Sequence, residues 1–240
     1  MLKNLRLLIH HSSLFVYVCV SPLIPSCIHS VFIHYFILYL RTLCNVSVHI
    51  HGDQKLLAEK NIFMANHYEG VDNYVLYPMI KQPLSNKLHL IGKDDMLGKH
   101  YPMGSFNSVM DYLIKFFYES GYIIPYRRGN KESGLRVRHK VKELLNNNEK
   151  LLIFPEGRSW RKGACHEFKP GMFEVAEQCN KSIVPITLKY RNFDGKNKGE
   201  KCVIQDWMDI EVDVFIHDEV LPKNYENMLE ETFEKITSKN

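Results

Sequence analysis

Residues 151–158 read Leu-Leu-Ile-Phe-Pro-Glu-Gly-Arg, an apolar run that ends in a Pro-Glu-Gly turn. Such a run predicts a strand buried on both faces, as in a parallel sheet. Residues 61–65 form a second short apolar run, and Asn66 and His67 follow it directly. Because sites in parallel sheets gather at the carboxyl ends of strands, we expect these two polar segments to face one crevice.

Short strands alternate with helices along the rest of the chain. Strands are predicted near residues 46–50, 88–91, 122–124, 183–188 and 210–216, and helices near 72–80, 106–119, 131–147, 171–179 and 224–236. Residues 193–201 predict a charged surface loop. This alternation predicts an α/β fold with a mostly parallel sheet flanked by helices.

The composition is that of a globular protein. The chain has 240 residues, of which 45% are hydrophobic and 24% charged, so a collagen, a coiled coil and a disordered chain are excluded. A mean hydropathy of -0.25 excludes a polytopic membrane protein. The net charge of +4 mildly favours anionic partners. The six cysteines form no C-x-x-C pair, so we expect reduced thiols and neither a zinc ribbon nor a redox motif.

The front of the chain has a different composition. No Asp, Glu, Lys or Arg lies between Arg6 and Arg41, and Pro22 and Pro25 divide this apolar segment. Each half, about 15 residues long, would reach roughly 22 Å, which is short of a bilayer core of about 30 Å. The segment fits one kinked span or, as we prefer, two short helices that enter and leave one leaflet. A cleaved signal peptide and a buried helix pair are the alternatives.

We therefore expect two parts in the chain. Residues 1–41 are predicted to form a hydrophobic, helical membrane-anchoring segment, and residues 42–240 are predicted to form the globular domain.

His67 and Asp72 are candidates for acid–base chemistry. A histidine can act as a general base near neutral pH, and a carboxylate can fix its tautomer. Within one regular helix these two side chains would lie about 140° apart. They can pair if His67 lies on a loop and Asp72 in the first helical turn, and Gly70 between them favours such a bend. The alternative is a surface histidine beside a helix-capping aspartate.

The turn at residues 155–157 is the second candidate. Pro155 and Gly157 favour a tight turn that would present Glu156, Arg158 and backbone N–H groups to a substrate. The alternative is an ordinary strand-to-loop turn with a solvated Glu and Arg.

Together the two segments resemble the motifs of the glycerolipid acyltransferase family, whose founding activity is 1-acylglycerol-3-phosphate acyltransferase. The resemblance covers roughly residues 46–216, with four motifs in the family's order. The matching residues are Asn66, His67 and Asp72 of the first motif; Gly121, Ile123 and Arg127 of the second; Phe154, Pro155, Glu156, Gly157, Arg158 and Ser159 of the third; Val184, Pro185 and Ile186 of the fourth; Phe168, Lys169, Gly171 and Phe173 between the last two; and Lys93 after an earlier strand.

Three departures from the family pattern leave the acceptor open. The third motif lacks its threonine, so Arg158 stands one place early. Tyr126 stands where an acidic residue often precedes the second-motif arginine. Tyr68 and Glu69 replace a more usual small polar pair.

The resemblance implies acyl transfer from acyl-CoA to the hydroxyl of a lysophospholipid, 1-acyl-glycerol-3-phosphate, which gives phosphatidic acid. It implies that His67 is the general base and that Asp72 orients it. It also implies no cofactor besides the acyl-CoA substrate and no metal. The alternatives are another lysophospholipid acceptor and a catalytically silent, lipid-binding member of the fold. The resemblance implies substrate-binding roles for Lys93, Arg127, Glu156, Gly157 and Arg158, and structural roles for Asn66, Phe154, Pro155, Lys169, Gly171 and Pro185.

A basic stretch follows the second motif. Residues 127–142 carry seven Lys or Arg and one acid, Glu132. This stretch would suit anionic headgroups or the phosphates of CoA, and a solvated helix face is the alternative. We expect no nucleic-acid partner, because no recognised module accompanies the stretch. We expect the protein to associate with membrane lipids, with its catalytic domain facing the cytosol.

Overall fold

The structure, a computed structural model, describes residues 9, 12, 34–35, 37–39, 41–68, 72–81, 87–93, 122–158, 165–191 and 209–238. The predicted helix at 106–119, the predicted loop at 193–201 and most of the predicted membrane segment lie outside these residues, as do Gly70, Gly121 and Ser159. Within the described ranges, no helix has the length and apolar character needed to cross a bilayer.

Strands and helices alternate as the sequence predicts. The strands are β1 (Ser47–His51), β2 (Ile62–Ala65), β3 (Leu88–Lys93), β4 (Ile123–Tyr126), β5 (Lys150–Ile153), β6 (Ile183–Tyr190) and β7 (Glu211–Ile216), and the helices are α1 (Lys55–Glu59), α2 (Asp72–Ile80), α3 (Lys131–Asn146), α4 (Gly171–Gln178) and α5 (Tyr225–Thr237).

Two features differ from the sequence prediction. Helix α1 was not predicted, because five residues are too few to show a helical repeat of apolar positions. Strand β6 continues two residues beyond its predicted end at residue 188 and includes Lys189 and Tyr190. The exposed Lys189 interrupts the apolar run, although backbone pairing with β7 continues to Tyr190.

One sheet joins the seven strands in the order β1-β7-β6-β2-β5-β3-β4. Neighbouring strands run parallel except β6 and β7, which pair antiparallel. The predicted mostly parallel α/β sheet is therefore confirmed.

The central strands are covered on both faces, which explains why they are continuously apolar. Successive side chains of a strand point to opposite faces. On one face, Phe63 and Leu152 belong to an apolar cluster that includes Leu76 of α2. On the other face, Ile62 belongs to a second cluster that includes Phe173 of α4 and residues of α3 and α5.

The register of the central strands brings the two predicted motifs together. Met64 of β2 pairs with Ile153 of β5, and Ala65 of β2 pairs with Ile186 of β6. The carboxyl ends of β2 and β5 therefore lie side by side. The first motif follows β2 and the third follows β5, so both begin at the same edge of the sheet.

Gly52 allows β1 to turn toward α1 beside β7. Its φ of 101° is unfavourable for other residues, and a Cβ atom there would lie 2.0 Å from the carbonyl oxygen of Ile216. We predict that Gly52→Ala lowers the free energy of unfolding by at least about 1 kcal/mol. Gly134→Ala in α3 is the matched control, because no atom lies within 4 Å of its Cβ position.

The control should stabilise the protein by about 0.5–1 kcal/mol, because alanine is the better helix former. Urea unfolding followed by circular dichroism measures both changes. Equal midpoints for Gly52→Ala and the unmodified protein would contradict the close approach of Gly52 to β7.

Candidate active site

His67 and Asp72 form a hydrogen-bonded pair. His67 lies in the loop after β2, and Asp72 begins α2. Nδ1 of His67 lies 2.8 Å from Oδ2 of Asp72. Since an ionised carboxylate only accepts hydrogen bonds, Nδ1 carries the proton and Nε2 holds the lone pair. The predicted bend between a loop histidine and a first-turn aspartate is therefore the observed geometry.

The two members of this pair differ in solvent exposure. The Asp72 side chain has no exposed surface, whereas 22% of the His67 side chain is exposed. The alternative of a surface histidine beside a helix-capping aspartate does not account for the buried carboxylate and its hydrogen bond to the ring. The arrangement has an inner acid that orients the ring and an outer imidazole that is partly exposed.

Two further donors bind the buried carboxylate. The backbone N–H of Tyr68 donates to Oδ2 of Asp72 at 2.7 Å, and the hydroxyl of Tyr190 donates to Oδ1 at 2.5 Å. Burial, and then the charge of Asp72, raise the pKa of Tyr190 well above its ordinary value. Burial and the same carboxylate also raise the pKa of Tyr68. Both phenols therefore remain protonated, and Tyr190 remains a hydrogen-bond donor.

The ring of His67 is held from one face by an aromatic side chain. Phe154, at the end of β5, stacks on it with ring centroids 4.1 Å apart and planes 22° apart. This contact covers one face of the imidazole with apolar surface. The third-motif phenylalanine thus orients the ring.

Glu156 joins the loops that follow β2 and β5. Its Oε1 accepts the backbone N–H of His67 at 2.9 Å, and its Oε2 accepts the backbone N–H of His166 at 3.0 Å. Only 2% of the residue is exposed. The alternative of a solvated Glu156 is therefore wrong. Direct contact between Glu156 and substrate stays a prediction. The observed hydrogen bonds show that the carboxylate connects the His67 loop to the backbone at His166.

Asn66 attaches the first motif to β6. Its side-chain amide donates to the carbonyl oxygen of Leu188 at 2.9 Å, and its Oδ1 accepts the N–H of Leu188 at 2.7 Å. The residue is fully buried. The amide thus continues the pairing between β2 and β6 beyond the last backbone pair, Ala65 with Ile186. Pro185, also predicted to be structural, pairs with Met64 within this ladder.

Gly157 ends the tight turn that the sequence predicts. It has a φ of 66°, and its N–H donates to the carbonyl oxygen of Phe154 at 3.0 Å. The Gly157 N–H is therefore used within the turn itself. Lys169 closes the same turn, because its N–H donates to the carbonyl oxygen of Pro155 at 2.9 Å.

Several cations surround this turn. The guanidinium of Arg128 donates to the carbonyl oxygen of Gly157. Arg158 donates to Nδ1 of His166 at 3.2 Å, so this histidine accepts through Nδ1. Partial burial, and then Arg158 and Lys169, lower the pKa of His166, which favours the neutral ring. Three basic side chains, those of Arg128, Arg158 and Lys169, therefore lie around the turn after β5.

The loop that carries Arg127 and Arg128 is fixed by the cap of α3. Oδ1 of Asn130 accepts the N–H of Ser133 at 2.8 Å, and Oγ of Ser133 accepts the N–H of Arg127 at 2.8 Å. Arg127 is exposed at the end of β4. Lys93 is exposed at the end of β3, opposite Tyr126 in the register. Lys93, Arg127 and Arg158 thus all lie at carboxyl ends of strands.

Part of the basic stretch is paired with acids. Arg138 binds Glu174 of α4 and lies against Gly171, where a Cβ atom would be 3.2 Å from the guanidinium. Lys140 lies 2.8 Å from Glu143 on the exposed face of α3. The net positive charge of this surface is therefore lower than the seven basic residues alone suggest.

Comparison with known proteins agrees with the motif pattern. The profile of the Acyltransferase family matches residues 47–189. The chain belongs to this family. It is 34% identical over 80 residues to a Caenorhabditis elegans protein provisionally named 1-acyl-sn-glycerol-3-phosphate acyltransferase acl-2. That match covers 33% of the chain and 28% of the relative's length.

A solved structure shares the fold. The crystal structure of PlsC, the 1-acyl-sn-glycerophosphate acyltransferase of Thermotoga maritima, aligns with a TM-score of 0.67. The alignment covers 99% of the chain and 95% of PlsC at 16% sequence identity. At this identity the similarity concerns the fold.

Sequence patterns missed three residues of this site: Tyr190, His166 and Arg128. Tyr190 lies on the same face of β6 as Ile186 and Leu188, so a longer predicted strand would have pointed to it. Arg128 is next to the predicted Arg127, and its guanidinium contacts the turn. His166 follows residues 159–164, a segment without a helical or strand pattern, and the sequence carries no signal for it.

We predict that Asn66→Ala lowers the free energy of unfolding by about 2 kcal/mol or more, because it leaves the buried N–H and C=O of Leu188 without their partner. Thermal and urea unfolding of the full chain measure the change. Asn146→Ala, at an exposed position at the end of α3, is the control and should change stability by less than about 0.5 kcal/mol. Equal losses in the two variants would contradict the bridging role of Asn66.

Proposed function

We propose that the protein transfers a fatty acyl group from acyl-CoA to the hydroxyl of 1-acyl-glycerol-3-phosphate, giving phosphatidic acid and CoA. The observation that carries the proposal is the His67–Asp72 hydrogen bond of 2.8 Å, with an exposed edge of the imidazole beside the third-motif turn. Membership of the acyltransferase family supports the same reaction class.

In the proposed mechanism His67 acts through Nε2. This nitrogen takes the proton of the acceptor hydroxyl as the oxygen attacks the thioester carbonyl carbon. The resulting imidazolium is stabilised by the Asp72 carboxylate bound to Nδ1. When the tetrahedral intermediate collapses, the C–S bond breaks, and the departing thiolate takes the proton from Nε2. A new ester C–O bond replaces the thioester.

The acceptor phosphate would bind the cations around the third-motif turn. Arginine can bind phosphate through two parallel hydrogen bonds. Arg158 already donates to His166 and is exposed at this turn, and Lys93 and Arg127 lie at neighbouring strand ends. A phosphate held there would lie near the loop that Glu156 ties to His67.

The apolar segment at residues 1–41 would place the reaction at a membrane surface. Moving a chain of about 16 carbons from lipid into water costs on the order of 12 kcal/mol, at about 0.8 kcal/mol per methylene. A membrane-anchored enzyme avoids this barrier, because the acyl chain stays in lipid while the headgroup reaches His67. We propose that this segment anchors the chain, that residues 42–240 form the catalytic domain, and that this domain faces the cytosol.

Replacing His67 with alanine tests the proposed function. Full-length protein in vesicles would be given radiolabelled acyl-CoA and 1-acyl-glycerol-3-phosphate, and labelled phosphatidic acid would be counted. We predict that His67→Ala lowers kcat by about 10²- to 10⁴-fold, the usual contribution of a general base. His49→Ala, at an exposed position on the edge strand β1, is the matched control and should retain full activity.

Two results would count against this proposal. If His67→Ala keeps its rate within about threefold of the unmodified protein, His67 is not the base. The unmodified protein would also be given a panel of other lysophospholipids. If it acylates a zwitterionic lysophospholipid but not 1-acyl-glycerol-3-phosphate, the proposed acceptor is wrong, whereas the proposed acyl transfer is retained.

Replacing Arg158 with alanine tests the proposed phosphate site separately from the proposed base. We predict that Arg158→Ala raises KM for 1-acyl-glycerol-3-phosphate by about tenfold, the effect of losing one charge-assisted hydrogen bond, with little change in kcat. Arg136→Ala removes a guanidinium whose side chain is 70% exposed on α3 and is the matched control. A fall in kcat at unchanged KM would instead place Arg158 with the reacting atoms.

A further inference from the structure

We propose that Tyr190 is a positioning residue of the reaction, which holds the Asp72 carboxylate in the orientation that aligns His67. This inference rests on the proposed function, because it concerns the same base. The observation behind it is the 2.5 Å hydrogen bond from the Tyr190 hydroxyl to Oδ1 of Asp72, between residues 118 positions apart in sequence.

The two oxygens of Asp72 have separate partners. Oδ2 accepts from Nδ1 of His67 and from the N–H of Tyr68, whereas Oδ1 accepts from Tyr190. The phenol at Oδ1 opposes rotation of the carboxylate about its Cβ–Cγ bond and so keeps Oδ2 in line with the imidazole.

Strand β6 extends beyond its pairing with β2, and this extension places the Tyr190 hydroxyl beside Asp72. The last backbone pair joins Ala65 to Ile186, and Tyr190 stands four residues further along β6. Asn66 fixes the intervening Leu188 from the first motif, and Val212 of β7 pairs with Tyr190 from the other side. The hydroxyl is therefore held by backbone that is itself fixed on both sides.

A second tyrosine supports the same position. The ring of Tyr68 packs edge-on against that of Tyr190, with centroids 5.0 Å apart and planes 78° apart. Tyr68 is also the residue whose N–H binds Oδ2 of Asp72. The two tyrosines close the buried side of the carboxylate and leave the imidazole as its exposed neighbour.

Tyr190 also influences the charge that His67 experiences. A hydroxyl that donates to a carboxylate takes up part of its negative charge, which weakens the attraction for a proton on the ring. Among the described residues, the titratable groups that face Asp72 include His67, Tyr68 and Tyr190, and the charges of Glu156 and Cys165 act on Tyr68. Loss of the Tyr190 hydroxyl should therefore make the imidazolium more stable and move its titration to higher pH.

Tyr190→Phe tests the inference, because it removes the hydroxyl and keeps the ring. We expect kcat to fall by about tenfold or more, as for loss of a hydrogen bond to a charged group, with KM for both substrates within about twofold of the unmodified protein. The acid limb of the kcat–pH profile should move to higher pH. Tyr225→Phe is the matched control, because that hydroxyl also donates to a carboxylate, Glu226 at 3.2 Å, outside the site.

An NMR titration separates this inference from the proposed function. The ring signals of His67 in the full chain would be identified by their loss in His67→Ala and followed against pH in the free protein. If the unmodified protein acylates no lysolipid, the proposed function fails, and the His67 titration still tests Tyr190. The midpoint should rise in Tyr190→Phe and stay unchanged in Tyr225→Phe.

A second substitution at position 190 keeps the inference testable if the phenylalanine variant misfolds. Genetic incorporation of 3-fluorotyrosine at position 190 keeps the hydroxyl and makes it a stronger donor, so the His67 midpoint should move to lower pH. The inference is overturned if kcat of Tyr190→Phe stays within about twofold of the unmodified protein. It is also overturned if kcat falls while the His67 midpoint is unchanged, or if neither Tyr190 substitution moves that midpoint.

Discussion

The buried charge of Asp72 is the constraint on which the site depends. A carboxylate without exposed surface is stable only if hydrogen bonds replace the water it has lost. Three of its donors, from His67, Tyr68 and Tyr190, lie on two separate parts of the chain, the loop after β2 and the end of β6. These parts meet because β2 and β6 are neighbours in the sheet. The strand order therefore brings together donors that bind Asp72, and Asp72 in turn orients the imidazole.

A second buried carboxylate performs a different task at the same edge. Glu156 uses both oxygens on backbone N–H groups, one in the His67 loop and one at His166. Asp72 thus orients the side chain of His67, and Glu156 holds its backbone N–H. With Phe154 stacked on the ring, the imidazole is fixed from three directions before any substrate binds. In the proposed mechanism, such preorganisation would lower the reorganisation needed at the moment of proton transfer.

The sequence predicts the layered fold and the His67–Asp72 pair because both depend on local patterns. Apolar runs mark the buried strands, and a loop followed by a helix start is the geometry that allows a pair five residues apart. The sequence does not predict Tyr190, whose partner lies 118 positions away and whose strand continues past an exposed lysine. It also does not predict that Glu156 faces inward, since a glutamate in a turn is more often solvated. Both depend on tertiary contacts.

The same contacts connect substrate binding with chemistry in the proposed reaction. Arg158 donates to the ring of His166, whose backbone N–H binds Glu156, which in turn binds the N–H of His67. In that proposal, a phosphate bound at Arg158 would be linked to the His67 loop by these three consecutive hydrogen bonds. The one-residue shift of Arg158 relative to the family pattern would then change where the acceptor binds. It would not change the ring contacts of His67, because these are made by Asp72 and Phe154.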